Sequence, residues 1–75
     1  MPDPAAYLRD VDRELALLHL DVRPPLVLLV DADAESVEVA AYRGEATARL
    51  RVRWATPART TAQELRDRLE AKADA

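Results

Sequence analysis

Residues 36–55 read SVEVAAYRGEATARLRVRWA, and this stretch decides the fold. Between Ser36 and Tyr42, the small or β-branched Val37, Val39 and Ala41 alternate with Ser36, Glu38, Ala40 and Tyr42. Over residues 46–55, Ala46, Ala48, Leu50, Val52 and Trp54 alternate with Thr47, Arg49, Arg51 and Arg53. A period of two is that of a strand with one face turned to a core. Arg43-Gly44 between the two runs reads as a two-residue hairpin loop, with Gly44 supplying the positive φ. Such a loop sets Ala41 opposite Ala46, Val39 opposite Ala48, Val37 opposite Leu50 and Glu38 opposite Arg49. A one-residue slip would oppose apolar to charged positions throughout, so both faces argue for this pairing.

Working outward, Leu26 to Val30 is an apolar run that predicts a strand over about 26–31, with Asp31 to Glu35 as the polar turn into the hairpin. Upstream, Asp3 can cap a helix that opens with Pro4, where a missing N–H costs nothing. Leu8, Val11, Leu15 and Leu18 recur at helical spacing, and Leu17 and Leu20 widen the stripe. Arg23-Pro24-Pro25 forces extended backbone, so the helix is expected over about 4–20 and to stop by Asp21. Downstream, Pro57 ends the third strand. Thr61 and Glu64 fit a capping box, predicting a second helix over about 61–72 that frays over Ala71 to Ala75. Its apolar stripe, Ala62, Leu65, Leu69 and Ala73, is thin. Glu64 with Arg68 and Arg66 with Glu70 add weak i,i+4 support.

The result is one small α+β domain over residues 1–75: helix, three-stranded antiparallel meander, helix (α-β-β-β-α). Its expected core is Leu8, Val11, Leu15, Leu18, Leu26, Leu28, Val30, Val37, Val39, Leu50, Val52, Trp54, Leu65 and Leu69. The first strand is apolar on both sides, because Val27 and Leu29 point away from Leu28 and Val30. Either the helices take opposite faces of the sheet or a second subunit covers one. With both helices on one face, Val27, Leu29, Ala40 and Tyr42 would form an exposed patch and a candidate interface.

Composition bounds the chemistry. At 75 residues and 8.4 kDa the chain has room for a single domain of modest stability. Its 49% hydrophobic and 33% charged residues suit a folded chain rather than a disordered one. No apolar run is long enough to span a bilayer, so no membrane partner is expected. Met-Pro-Asp-Pro at the start lacks the basic-then-apolar order of a secretory signal, and the expected setting is the cytoplasm. Without cysteine there are no disulfides and no thiol chemistry. One glycine excludes a glycine-rich phosphate loop, and one histidine without cysteine excludes the usual metal clusters. Arg outnumbers Lys ten to one, which reads as the coding bias of a high-GC bacterial or phage genome or as a designer's choice.

Asp31-Ala32-Asp33-Ala34-Glu35 places carboxylates at alternate positions, as a calcium loop does. Ser36 then stands where that loop needs Gly, and Tyr42 where it needs Glu. The acids are expected to cap their own turn. His19 lacks a nucleophile to serve and is expected to flank the first helix's stripe, half exposed. No catalytic residue, metal ligand or cofactor is therefore assigned.

Charge is segregated. Residues 1–40 carry three Arg against nine acids, and residues 41–75 carry eight basic residues against five acids. Arg49, Arg51 and Arg53 share one strand face, and with Arg43 and the ring of Tyr42 they make a candidate surface for nucleic acid or another polyanion, or for an acidic protein. The expected register lays the acidic turn beside Arg51 and Arg53, which favours neutralisation within the sheet or by a partner subunit. A net charge of −3 and a pI near 5.0 also differ from most nucleic-acid-binding domains. The element order is shared with double-stranded RNA-binding domains. Those carry a lysine cluster at the start of the last helix, where this chain reads Ala58-Arg59-Thr60-Thr61-Ala62-Gln63-Glu64, and the likeness stops there. The expectation is a non-catalytic adaptor or regulatory protein-interaction module. It would pair with itself as a homodimer and bind an unidentified protein. The alternative is a polyanion-binding module built on the Arg49–Arg53 face.

Overall fold

The computed structural model describes residues 2–19 and 22–73, the side chain of Ala73 excepted. Leu20 and Asp21, expected at the end of the first helix, lie outside the described residues, as does the expected burial of the Ala73 methyl. The elements run α1 (Pro4–Leu18), β1 (Leu26–Ala32), β2 (Ser36–Arg43), β3 (Ala46–Arg53) and α2 (Ala58–Ala73). The three strands form one antiparallel sheet in the order β1-β2-β3, so the chain is a helix–meander–helix domain. Its radius of gyration, 11.7 Å, is near the ~11 Å of a compact chain of this length. No described helix is long and apolar enough to cross a membrane.

Both helices lie on the same side of the sheet. α1 rests on β1, α2 rests on β3 and β2, and the helices pack against each other. The layer between them is built from Val11 and Leu15 of α1, Val27, Val37, Val39, Ala41 and Ala48 of the sheet, and Ala62, Leu65 and Leu69 of α2. Leu8, Leu18, Leu50, Val52 and Trp54 pack around it half-buried. Asp3 caps α1 through its carboxylate, which accepts from the Ala5 amide at 3.0 Å.

The hairpin keeps its faces but not its expected partners. The loop is Gly44-Glu45, with Gly44 at φ 58° and no other described residue at positive φ. Glycine at the first of two loop positions is the requirement of a type II′ turn. The pairing therefore moves by two residues: Arg43 opposes Ala46, Ala41 opposes Ala48, Val39 opposes Leu50 and Glu38 opposes Arg51. A shift of two preserves the side each residue faces, so the alternation cannot distinguish the two registers.

β1 faces the opposite way from expectation. Val27 pairs with Ala41 and is buried at 7% exposure, whereas Leu26, Leu28 and Val30 stand 61%, 45% and 40% exposed instead of joining the core. The cause is a bulge between Leu29 and Asp31, where Val30 has no partner of its own. Beyond the bulge Ala32 faces the helices and Asp31 faces out. Before it, Val27 and Leu29 take the inward positions. Because β1 is apolar at every position from Leu26 to Val30, either phase would bury hydrophobic side chains, and the alternation cannot reveal the extra residue.

α2 begins a turn earlier than the capping box implies. The Thr61 amide already donates to the Pro57 carbonyl at 3.2 Å, so Thr61 lies inside the helix, fully buried. Its hydroxyl has a tertiary partner instead of a cap, Tyr7, at 2.7 Å.

Candidate functional site

The sheet face away from the helices carries the side chains of Ser36, Glu38, Ala40 and Tyr42 from β2 and of Thr47, Arg49, Arg51 and Arg53 from β3. Leu26, Leu28 and Asp31 of β1 join them. Arg51 is its centre. Its guanidinium donates to Asp31 at 2.6 Å, to Ser36 Oγ at 2.7 Å, to Glu38 at 3.3 Å and to Asp33 at 3.5 Å. Its pKa is raised, first by the hydrogen bond to Asp31, which desolvation opposes, and then by the charges of Asp31 and Glu38. Arg49 reaches the same Glu38 at 3.4 Å. Arg49 and Arg51 are thus interleaved with acids rather than gathered as a free basic patch. Arg53, beside Ser36 in the register, has no ion pair among the described residues. Arg43 departs from the expected group. At the end of β2 it falls on the helix-side parity opposite Ala46, and its guanidinium donates to the Arg23 carbonyl at 3.1 Å.

The acidic turn is consumed by its own closure. Asp33 Oδ1 accepts from the Glu35 and Ser36 amides at 2.8 Å each and from Ser36 Oγ at 3.2 Å. These bonds hold its carboxyl below the usual carboxylate range, the Glu35 and Ser36 amides first and Arg51 last. The Trp54 indole donates to the Asp33 carbonyl at 2.7 Å, tying the turn to the end of β3. No three of the described His, Asp and Glu residues gather as metal ligands. His19 is buried at 6% exposure rather than half exposed. It closes the end of α1, Nδ1 lying 2.8 Å from the Leu15 carbonyl, and Nε2 has no partner among the described residues.

Sequence reasoning missed a polar clamp. Tyr7 sets its ring edge-on to Trp54, with centroids 5.8 Å apart. Its hydroxyl donates to the Thr56 carbonyl at 2.9 Å, which leaves Thr61 as donor to the phenol oxygen. Burial raises the Tyr7 pKa and the Thr61 bond lowers it in part. The clamp joins α1, the β3–α2 turn and α2. The signal was present only as a tyrosine on the apolar side of α1.

Of the four residues expected to form an exposed patch, two are covered. Val27 is in the core, and Ala40, between Leu28 and Arg49 in the register, is fully buried. Tyr42 is half-buried opposite Leu26, and Leu29 is 41% exposed. The apolar surface that does stand open follows β1 itself: Leu26, Leu28, Leu29 and Val30. Val22 joins Leu26 in lining an open groove of about 620 Å³ beside the β2–β3 turn.

β1 and β3 are the two edges of the sheet, and their outward backbone groups follow from the pairing phase. The Trp54 amide donates to the Glu35 carbonyl and the Asp33 amide to the Ser36 carbonyl, so odd residues of β2 bond β3 and even residues bond β1. Thr47 and Arg49 of β3, and Val27 and Leu29 of β1, therefore direct N–H and C=O away from the sheet. On β3, Lys72 donates to the Thr47 carbonyl and Arg68 to the Arg49 carbonyl at 3.2 Å, both from α2. Among the described residues, no side chain does the same for Val27 or Leu29. Comparison of the chain with protein-family models, with curated proteins and with solved structures finds no match.

Proposed function

We propose that this protein is a non-catalytic adaptor or regulatory module that acts through protein contacts and works as a homodimer. The observation that carries the reading is the row of exposed aliphatic side chains along β1, Leu26, Leu28, Leu29 and Val30, which make up four of the six exposed large hydrophobics among the described residues, Leu17 and Val22 being the others. Contiguous apolar surface of this kind marks protein interfaces. The engagement of the acidic turn in its own hydrogen bonds and in Arg51 supports the non-catalytic part, since these carboxylates already have structural work. A polyanion bound to this face would have to compete with Glu38 for Arg49 and with Asp31, Asp33 and Glu38 for Arg51, leaving Arg53 as the one arginine of the three without an acid partner among the described residues. On this reading short RNA or DNA does not bind appreciably at physiological salt. Light scattering over a concentration series tests the proposal. A particle of twice the 8.4 kDa chain at micromolar concentration is the expected result. A particle of single-chain mass at every concentration would overturn it.

A further inference from the structure

We infer that the second copy docks by edge-to-edge antiparallel pairing of β1 with β1, joining the two meanders into one six-stranded sheet. This rests on the homodimer reading above and specifies its interface. The first argument is backbone complementarity. Val27 and Leu29 are the outward residues of β1, and a two-fold axis at Leu28 sets each opposite the other residue of the second copy. Val27 and Leu29 then exchange hydrogen bonds with the partner's Leu29 and the partner's Val27. Leu28 meets the partner's Leu28 on the outer face, and Leu26 approaches the partner's Val30. Every exposed aliphatic side chain of the strand acquires an aliphatic neighbour.

The second argument is charge. Arg23 precedes β1, and Asp31 and Asp33 follow its apolar run. Antiparallel pairing sets the basic start of one strand beside the acidic end of the other, at both ends of the two-fold. Arg23 is exposed and has no ion pair among the described residues. The third argument is closure. The joined sheet has the order β3-β2-β1-β1-β2-β3, so both outer edges are β3, where Arg68 and Lys72 occupy the Arg49 and Thr47 carbonyls and the strand carries charged Arg49, Arg51 and Arg53. Assembly stops at two copies, as an isologous contact requires. Leu26, Leu28, Leu29 and Val30, each at least 40% exposed in the single chain, are the side chains the contact would cover.

The chain has no cysteine, so a single introduced one reports its own neighbour. Across the two-fold, Leu28→Cys faces its counterpart at a non-hydrogen-bonded position, with Cα atoms about 4.5 Å apart, within disulfide reach. Arg49→Cys on the β3 edge is the control. Under mild oxidation Leu28→Cys is expected to become a covalent dimer at least tenfold faster than Arg49→Cys. A second variant, Leu28→Lys, sets two ammonium groups against each other and is expected to raise the dimer dissociation constant by tenfold or more with an unchanged circular dichroism spectrum. If the unaltered protein is dimeric, yet Leu28→Cys cross-links no faster than the control and Leu28→Lys still dimerises, edge pairing is wrong and the homodimer reading survives. If the unaltered protein is monomeric at every concentration, both fall together.

Discussion

The two edges of this sheet solve one problem in opposite ways. β3 carries Thr47, Arg49, Arg51 and Arg53 outward, and α2 extends Arg68 and Lys72 onto its free carbonyls. β1 carries Leu26, Leu28, Leu29 and Val30 at its exposed positions, and no described side chain reaches its outward Val27 and Leu29 backbone groups. Unprotected edges with apolar side chains template further pairing, and proteins that stay monomeric blunt them with charge or cover. Here one edge is blunted and the other left open. On the dimer reading, the difference teaches that one edge is kept for use while the other is guarded against further growth.

The largest effect is expected where the two sides of β1 are contrasted directly. Val27→Lys would bury an unpaired ammonium in the core layer and cost about 3 kcal/mol or more, a large part of the stability of a domain this size at roughly 0.1 kcal/mol per residue. Leu26→Lys, on the exposed side, is expected to change monomer stability by less than about 0.5 kcal/mol. Urea unfolding of the two variants checks this. Equal losses would mean that the bulge at Val30 does not set the facing of β1.

Next comes the clamp that holds α1 and α2 to the β3 end. Tyr7→Phe strips the Thr56 carbonyl and the Thr61 hydroxyl of their partner and is expected to cost about 1–2 kcal/mol. Trp54→Ala removes a half-buried ring and its bond to Asp33, for about 2–3 kcal/mol, below the range for a fully buried ring. Thermal melts of the two single variants check both values.

A smaller effect follows from the turn between β1 and β2. The folded-state pKa of Asp33 is depressed, so its contribution is present above the unfolded value and is lost as pH falls through the folded one. Melting temperature is therefore expected to drop as pH falls below about 4, and Asp33→Asn should flatten that drop. An identical acid limb in the variant would remove Asp33 from the account. The smallest effect on stability belongs to the guarded edge. Arg68→Ala with Lys72→Ala should cost only a few tenths of a kcal/mol, as exposed polar contacts do. The same double variant should associate beyond the dimer, because it reopens β3. Unchanged sizing in concentrated solution would show that the two side chains are not what limits assembly.

The meander was legible because β2 and β3 have unlike faces. Val37, Val39, Leu50 and Val52 separate cleanly from Glu38, Arg49, Arg51 and Arg53, and alternation fixes a side wherever only one side is apolar. The same reasoning misplaced β1, since Leu26 to Val30 satisfies both phases and the bulge leaves no mark in composition. It also missed the two-residue shift at Gly44-Glu45, which changes partners without changing faces. Thr61 misled because hydroxyls at helix starts and hydroxyls that bond a distant tyrosine look alike in sequence. The candidate arginine face was legible as a row of residues. Its interleaving with Asp31 and Glu38 depended on the true register and on the bulge that turns Asp31 outward.

Hydrogen exchange of the Leu29 amide, followed residue by residue at concentrations below and above dimer formation, tests the central claim most directly. In the monomer this amide points off the free edge of β1. In the proposed dimer it donates to the carbonyl of the partner's Val27. The account predicts that Leu29 exchange slows by tenfold or more as concentration rises, while the outward Arg49 amide on β3 keeps its rate. A Leu29 amide whose exchange is independent of concentration, in a protein that sizing shows to be dimeric, would contradict it.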